Sequence, residues 1–431
     1  MRNRALLVVL TVLAMVVAAC GGDGGSDTTQ PDETATTAAE ETTTTSGDET
    51  TTTAGESAEA PDAITIGAVV PLTGAFAGGG AQIERGYVYA VDAINEAGGV
   101  YVEEFDAEIP LELDVRDDAS DPNQTTSIMD ELAGGDIVAY LGGFATPVHA
   151  AGSATAERNG IPYLGAATST QALHEQGYQY FFSPFPKSPD MAGTVFEMLN
   201  GLIPEGDRPL SVGIFQEATD WGEELWPLWV QEAENHGYEV VYHETYAPGT
   251  TDYTDLILGA QAAGVEALLS LPTPPDGFAI YQQMGELGFK PPFNLVIRAA
   301  DVPTWNDLGE AGEGVVLSTP WHPALGYPGT EAVNERHLEE LERPADPVVG
   351  SAYALIEILA DAIERAGTLE HDAVRDAIAA TDGLETIIGP ITFREDGTAE
   401  VPNPHMQRIG GAIDLIWPAE PATADLVYPS P

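Results

Sequence analysis

Six short segments of this chain combine small, hydroxyl-bearing and aromatic residues, and each comes directly after a run of residues typical of a β-strand. They are PLTGAFAGGG, GGFATP, GAATST, EATDWGEE, PTPPDGF and IRAADVPTW. Backbone amides and hydroxyls can hydrogen-bond a small polar molecule, and aromatic rings can enclose its apolar part. The segments therefore predict a binding cleft, although Trp221 and Trp305 could equally pack beneath their own loops.

Arg298 is the most unusual residue in these segments. It follows the apolar run 295–297 in a chain that has 15 lysines and arginines against 69 acidic residues. A guanidinium at the end of a buried strand either meets a ligand or pairs with a nearby carboxylate, for which Asp301 and Asp307 are the candidates.

Motifs for enzymatic chemistry are missing from the sequence. The lysine of a phosphate-binding P-loop follows a glycine, whereas Lys187 follows Pro186 and Lys290 follows Phe289. The chain has neither a Gly-x-Ser-x-Gly nucleophile elbow nor a His-Glu-x-x-His zinc motif, and its 8 histidines are scattered. We therefore expect a protein that is not an enzyme and that holds no metal and no cofactor.

The elements that carry the six segments alternate along the chain. Short β-branched runs such as ITIGAVV, LELDVRD and LSVGIFQE indicate strands, and helical apolar spacing separates most of them. One predicted helix ends at Gly98, and another begins after Asp121, whose side chain can cap it ahead of Pro122. This alternation predicts an α/β fold with parallel sheets covered on both faces, and about 370 residues suit two such lobes. Ligands of such folds bind beyond the carboxyl ends of the strands.

The N-terminus is typical of an exported protein. A basic start precedes an apolar run over 5–19 that is too short to span a bilayer comfortably, so we predict a signal peptide at 1–19. Cys20, the only cysteine, lies in VVAACGG, which resembles a bacterial lipobox and predicts a lipid anchor on its thiol. Residues 21–61 contain no aromatic residue and no cation, which predicts a disordered stalk over 20–62. The formal net charge of −54 gives the chain no electrostatic basis for binding nucleic acid.

Seven stretches between about Ala63 and Thr398 follow the order found in one known family. They are ITIGAVVPLTGAFAGGGAQIERGYVYAVDAINEAGGV, RDDASDPNQ, YLGGFATP, NGIPYLGAATSTQAL, GYQYFF, DWGEEL and IIGPITFREDGT. In this order the chain resembles the type I periplasmic solute-binding proteins of the branched-chain amino-acid (Leu/Ile/Val-binding) ABC transporter family. The resemblance implies two Rossmann-like lobes with parallel sheets, joined by a three-strand hinge. Lobe 1 would comprise 63–182 plus 320–395, and lobe 2 would comprise 183–319 plus 396–431.

The resemblance also implies a function. The protein would be the extracytoplasmic, lipid-anchored substrate-binding subunit of an ABC importer, at the cell surface or in the periplasm. It would capture an amino acid or a related amide or carboxylate between its lobes by hinge closure. Its partners would be that solute and the permease subunits in the membrane, and it would be a monomer. The alternative is a ligand-sensing receptor of the same fold that signals through a membrane partner.

The resemblance, together with the position of Arg298 in the last cleft segment, predicts ligand contacts at seven residues, which are Phe76, Thr146, Ala167, Ser169, Trp221, Thr273 and Arg298. Thr146, Ala167 and Ser169 match the positions that hold the ligand's α-carboxylate through backbone amides and hydroxyls. Trp221 matches an aromatic residue that lines the cleft from the second lobe. Phe76 belongs to the first-lobe loop against the ligand side chain, and Thr273 falls near a position that is often aromatic.

The chain departs from the family at the position where branched-chain amino-acid binders have a glutamate that pairs with the ligand's α-ammonium. The matching position falls at Ile297 or Arg298, and Asp301 is a candidate to supply the carboxylate from a shifted position. An arginine at this position would repel an ammonium and attract a carboxylate or carbonyl. That reading favours an organic acid, an amide or an acidic amino acid as ligand. If Arg298 instead pairs with Asp301 or Asp307, it does not meet the ligand.

Overall fold

The computed structural model of the protein describes residues 59–431. The predicted signal peptide, Cys20 and nearly all of the predicted stalk lie outside this range. None of the helices within 59–431 is long and apolar enough to cross a lipid bilayer.

The first part of the described chain builds a five-stranded parallel sheet. Its elements are β1 (Ile64–Val70), α1 (Ala77–Ala97), β2 (Val100–Val102), β3 (Ala107–Ile109), β4 (Leu111–Asp117), α2 (Pro122–Leu132), β5 (Ile137–Leu141), α3 (Thr146–Asn159), β6 (Tyr163–Leu164) and β7 (Phe181–Phe182). The strand order is β4-β1-β5-β6-β7, with every neighbouring pair parallel. Strands β2 and β3 form a separate antiparallel pair. We call this five-stranded sheet and the helices packed on it lobe 1.

The next part of the chain builds most of a second sheet. Its elements are α4 (Ser188–Met191), α5 (Thr194–Leu202), β8 (Ser211–Glu217), α6 (Asp220–His236), β9 (Glu239–Tyr246), α7 (Thr254–Ala263), β10 (Ala267–Ser270), α8 (Pro274–Leu287), β11 (Phe293–Val296) and β12 (Val316–Ser318). Strands β8, β10 and β11 are almost continuously buried, because clusters of apolar side chains cover both faces of the sheet. We call this sheet and its helices lobe 2.

The last part of the chain returns to lobe 1 and then completes lobe 2. Its elements are α9 (Thr330–Leu341), α10 (Val349–Ala366), α11 (His371–Ala379), β13 (Leu384–Thr386), β14 (Gly389–Ile391), β15 (His405–Ile409) and β16 (Ala412–Trp417). Strands β15 and β16 extend the second sheet antiparallel, giving the order β16-β15-β12-β11-β10-β8-β9. The chain therefore passes between the two sheets three times, after β7, after β12 and after β14.

Helix α10 joins the returning segment to the core of lobe 1. It is apolar around most of its circumference because α1 lies on one side and α11 on another. The approach of α1 is close: a Cβ on Gly86 would lie 2.4 Å from the carbonyl oxygen of Val349, so glycine is required there. One apolar cluster consequently contains residues from β1 through Phe182 together with residues from Trp321 to Val401.

The α/β class and its parallel sheets confirm the sequence-based prediction. The strand runs ITIGAVV, LELDVRD and LSVGIFQE correspond to β1, β4 and β8, and the further runs IVAYLGG, PYLGAA, EVVYHETY, EALLSLP, NLVIRA and GVVLSTP contain β5, β6, β9, β10, β11 and β12. Helix α1 ends at Gly98, whose φ is 124°, and the Asp121 side chain accepts a hydrogen bond from the Asn123 N–H at 2.9 Å, as capping requires. Strands β2, β3, β7 and β13–β16 were not predicted; β2, β3, β7, β13 and β14 have only two or three residues each.

Candidate functional site

A cavity lies between the two lobes, where the carboxyl ends of their parallel strands face each other. It is lined by Phe144, Ala145, Thr146, Ala167, Thr168, Ser169, Phe185, Met191, Trp221, Ile297, Arg298, Asp301, Ser318, Thr319, Val348 and Asn403. The space open to the centres of water molecules is about 40 Å³, which corresponds to a few waters. Most of the lining segments directly follow strands β5, β6, β8, β11 and β12, as expected for parallel sheets.

The lobe 1 wall consists of two loops that run side by side. Phe144 and Ala167 form a parallel bridge, so the loop after β5 and the loop after β6 are held together. Helix α3 begins at Thr146, which places the positive end of its dipole at the cavity wall. The Thr146 hydroxyl oxygen lies 2.7 Å from that of Thr170, and both side chains are buried. This wall offers hydroxyls and peptide N–H groups, which suit an anionic group.

Trp221 forms part of the lobe 2 wall and is tied to lobe 1 through one intermediate residue. It lies in the first turn of α6, and its indole N–H donates to the Ser188 hydroxyl at 3.1 Å. The Ser188 backbone N–H in turn donates to the Ser169 carbonyl at 2.8 Å. These two hydrogen bonds therefore fix the distance between the Trp221 ring and the loop that contains Ser169.

Arg298 is buried beneath the cavity and is held by three acceptors. Its Nη2 donates to Glu217 Oε2 at 2.6 Å and to the Leu271 carbonyl at 3.0 Å, and its Nε donates to the Pro272 carbonyl at 3.1 Å. Glu217, at the end of β8, is itself 0% exposed. The prediction that Arg298 pairs with Asp301 or Asp307 is therefore wrong.

The environment of Arg298 explains this outcome. Strand β11 ends at Val296, and Arg298 has a φ of 76°, a left-handed conformation that turns the chain back towards the end of β8. Its guanidinium carbon lies 5.4 Å from the Trp221 ring centre and 5.8 Å from that of Phe76. Ala145, on the opposite wall, also has a positive φ of 81°. Strained backbone at non-glycine residues is concentrated at functional sites, and both of these residues line the cavity.

Four buried polar atoms at this cavity have no hydrogen-bond partner within residues 59–431. They are Thr168 Oγ1, Asp301 Oδ1, Ser318 Oγ and Asn403 Oδ1. Burial raises the pKa of Asp301 to about 7, and Arg408 and Arg298 only partly oppose this shift. Because buried polar groups in folded proteins are nearly always paired, such a concentration of unpaired atoms marks a place where a ligand supplies the partners.

The structure brings together five of the seven residues predicted as ligand contacts, namely Thr146, Ala167, Ser169, Trp221 and Arg298. The other two do not line the cavity. Phe76 lies behind the wall, with its ring centre 6.3 Å from that of Phe144. Thr273 instead caps α8, where its side chain accepts from the Asp276 N–H, and its own N–H donates to Glu217 at 3.1 Å.

Several lining residues were not predicted as contacts. Ser318 is the last residue of β12 and Thr319 follows it, and none of the six predicted cleft segments includes them. Phe185, Met191 and Asn403 lie on or beside segments that cross between the lobes, and no local sequence pattern signals their convergence. Across residues 59–431 no group of three His, Cys, Asp or Glu side chains is arranged to hold a metal ion.

Hydrogen bonds also join the two lobes directly. Gln82 of α1 donates to the Asp301 carbonyl at 3.0 Å and accepts from the Val348 N–H at 3.1 Å. The Glu224 carboxylate of α6 accepts from the backbone N–H groups of Gln171 and Ala172, each at 2.9 Å. These contacts hold the walls of the cavity against each other.

Comparison with known proteins places this geometry among binding proteins. The family model for periplasmic binding proteins matches residues 63–408. Leu/Ile/Val-binding protein homolog 3 of Brucella melitensis is 25% identical over 345 residues, which cover 79% of this chain and 89% of that protein.

Solved structures share the two-sheet architecture. The branched-chain amino acid transporter substrate binding protein LivJ of Streptococcus pneumoniae, in complex with isoleucine, has a TM-score of 0.71 and 18% identity, covering 85% of this chain and 100% of that one. A solute binding protein of an ABC transporter from R. palustris, in complex with benzoate, has a TM-score of 0.70 and 16% identity, covering 84% and 98%. The fold is thus that of type I periplasmic binding proteins.

Proposed function

Because the chain belongs to the periplasmic binding protein family, we propose that it is the substrate-binding subunit of an ABC importer and captures a small carboxylate-bearing solute in the cleft between its lobes. The family implies an extracytoplasmic location and an ABC permease as partner. Its members in the comparison are binding proteins of transporters and not enzymes.

The observation that carries the proposal is the set of four unpaired polar atoms at one cavity. They come from both lobes and from a segment that crosses between them, namely Thr168, Asp301, Ser318 and Asn403. An unpaired buried polar group costs about 1–3 kcal/mol, so a ligand that supplies hydrogen-bond partners here would gain binding energy. A ligand that supplies the partners accounts for all four together.

We propose that the two ends of the cavity bind different parts of the solute, a carboxylate at one end and an apolar side chain at the other. The Thr146 hydroxyl, the start of α3 and the loop with Ala167 and Ser169 suit a carboxylate, because they present donors and a positive dipole end. Trp221, Ile297 and Met191 supply apolar surface that suits a hydrocarbon or aromatic side chain. Asp301 is the group that would pair with an ammonium if the solute has one.

Hinge closure, the lipid anchor and the monomeric state also belong to the proposal. The three chain crossings between the sheets support lobes at 63–182 plus 320–395 and at 183–319 plus 396–431. The cavity is lined by residues of both lobes, which supports entry of a solute through an opened cleft. The lipobox at Cys20 supports anchoring outside the cytoplasm, next to the permease.

A thermal-shift panel tests the proposed function. We expect at least one of L-leucine, L-isoleucine and benzoate to raise the Tm of the purified protein, because a ligand at 100 times its Kd stabilises the native state by about 2.7 kcal/mol. Mass spectrometry of small molecules released from the purified protein would identify a co-purified solute. If no carboxylate raises the Tm and none is released on denaturation, the proposal is wrong.

Gln82 tests whether closure contributes to affinity. We expect Gln82→Ala to weaken binding of the solute identified in that panel by about two- to tenfold, the loss expected for one hydrogen bond of 0.5–1.5 kcal/mol made only in the closed form. Asn95 is a matched control, since its amide makes the same double contact to Leu111 N and O but entirely within lobe 1. Asn95→Ala should lower the Tm and leave the Kd unchanged. Equal effects of the two variants on Kd would contradict a role in closure.

A further inference from the structure

Lys187 is a fully buried cation on the first segment that crosses from lobe 1 to lobe 2. Its exposed fraction is 0%, and four oxygens lie within hydrogen-bond distance of its ammonium, which has three N–H donors to share among them. These are the carbonyls of Thr168 at 2.9 Å, Ser183 at 3.2 Å and Phe185 at 2.9 Å, and the Ser183 hydroxyl at 3.1 Å. All four acceptors are neutral groups.

The charge of Lys187 has no direct counterion among the described residues. No carboxylate of residues 59–431 lies within 4.0 Å of its Nζ, and Asp190, Asp396 and Glu224 act on it only from farther away. Burial lowers the pKa of Lys187 to about 7, and these three carboxylates only partly oppose that shift. A buried charge usually has a close partner, because taking it out of water is costly.

The other titratable groups on this side add no negative charge. His149 and His174 are buried, and burial lowers their pKa values to about 4 and about 3, with Lys187 contributing in the same direction. Both imidazoles are therefore neutral at neutral pH. Arg394, which pairs with Asp190 at 3.2 Å, is a further cation that acts on Lys187.

The Lys187 ammonium is connected to the cavity by a single peptide group. It binds the carbonyl oxygen of Thr168, whose peptide continues into the N–H of Ser169, and both residues line the cavity. Within the described chain no acceptor takes the Ser169 N–H. In a trans peptide the carbonyl and the N–H point in opposite directions, so a cation on the oxygen polarises the N–H as a donor.

We infer that Lys187 is a positioning residue that selects an anionic group at the lobe 1 wall of the cavity. It acts through the Thr168–Ser169 peptide and through a charge that has no direct counterion within residues 59–431. This inference rests on the proposed function and narrows it, since it makes the negative charge of the solute, and not merely its oxygen atoms, the feature that is recognised. Arg298 does not have this role, because Glu217 neutralises it.

Calorimetry with acid and amide pairs tests the inference. The probes are L-leucine with L-leucinamide and benzoate with benzamide, which differ in charge at nearly constant shape. We expect Lys187→Met to weaken binding of the acid about tenfold or more and to change binding of the amide less than about threefold. Lys290→Met is the matched control, because it removes the only other lysine, which is exposed and away from the cleft, and it should change neither value.

A second measurement uses the unmodified protein and does not depend on how the variant folds. Labelling with [ε-13C]lysine gives two NMR signals, from Lys187 and Lys290. A bound anion favours the charged ammonium, so benzoate or leucine should raise the pKa of Lys187 and leave that of Lys290 unchanged, while the amides should raise neither.

The outcomes separate the inference from the proposed function. If the native protein binds none of the four probes, no carboxylate raises its Tm and none is released on denaturation, the proposed function fails. Suppose the native protein binds an acid. If Lys187→Met then weakens binding of the acid and of its amide equally, or weakens binding of neither, the inference is overturned and the proposed function stands. Preference of the native protein for an amide, or a Lys187 pKa that does not move on binding an acid, also overturns it.

Discussion

Asparagine in place of Asp301 is expected to stabilise the ligand-free protein at pH 8 and to weaken its binding of ammonium-bearing solutes. Burial raises the pKa of Asp301 from 3.8 to about 7, so the folded state holds a proton that the unfolded chain releases near pH 4. The stabilising effect of that proton is complete below pH 4 and is lost as the pH rises through 7. Asparagine remains neutral throughout.

The size of the effect follows from the shift. Raising the pKa from 3.8 to about 7 corresponds to at most about 4 kcal/mol. The free energy of unfolding of Asp301→Asn, minus that of the native protein, should therefore increase by up to this amount from pH 4 to pH 8. Urea unfolding of both proteins at the two pH values measures it. A difference that does not depend on pH would contradict the burial of an ionisable Asp301.

Glu357 provides a matched control for this prediction. It lies in α10, away from the cavity, where burial raises its pKa to about 7 and its carboxylate accepts from the Ile387 N–H. Glu357→Gln should show a similar pH-dependent gain in stability and unchanged binding of every probe. Asp301→Asn should weaken binding of L-leucine much more than binding of benzoate, which has no ammonium. Equal weakening for the two probes would show that Asp301 does not recognise an ammonium.

Alanine in place of Arg298 is expected to destabilise the protein strongly. The change would leave Glu217 buried with a negative charge and would remove the donor to the Leu271 and Pro272 carbonyls. Breaking a buried ion pair on one side typically costs about 3–5 kcal/mol. Urea unfolding at pH 7 measures the loss, and a loss below about 1 kcal/mol would contradict the ion pair.

The double variant Arg298→Met with Glu217→Gln separates the stranded charge from the lost packing. It removes both charges and keeps an acceptor for the Thr273 N–H, so we expect it to recover most of the stability that Arg298→Ala loses. Because the pair carries no net charge, the preference for acid over amide should be the same in the double variant as in the native protein. A lower preference would assign anion recognition to Arg298 rather than to Lys187.

Much of the fold could be predicted from local sequence. The strand runs, the helix cap at Asp121 and the helix end at Gly98 depend on residues within a few positions of each other, and all of them were predicted correctly. The strand-end loops also identified most of the cleft, because the carboxyl ends of parallel strands lie at one edge of a sheet whatever their order.

Most features of the site that the sequence did not anticipate depend on contacts between distant parts of the chain. Asp301 and Asp307 were the candidate partners of Arg298 in the alternative to ligand contact, but its partner Glu217 lies 81 positions away, at the end of another strand. Thr273 follows a strand as expected, yet its side chain satisfies the start of α8 instead of facing the cavity. Asn403 reaches the cavity only because the chain crosses between the lobes a third time.

The sequence by itself determined the α/β class, the alternation of elements and the segments that could form a cleft, because these follow from periodicity and from which residues can end a strand or begin a helix. Only the tertiary structure decided how each charge is used. Within residues 59–431, Arg298 is neutralised by Glu217, Asp301 has an oxygen with no hydrogen-bond partner, and Lys187 lies behind the Ser169 peptide with no carboxylate within 4.0 Å. The physical reason is that the energy of a buried charge depends on the few ångströms around it, and those neighbours come from distant parts of the chain.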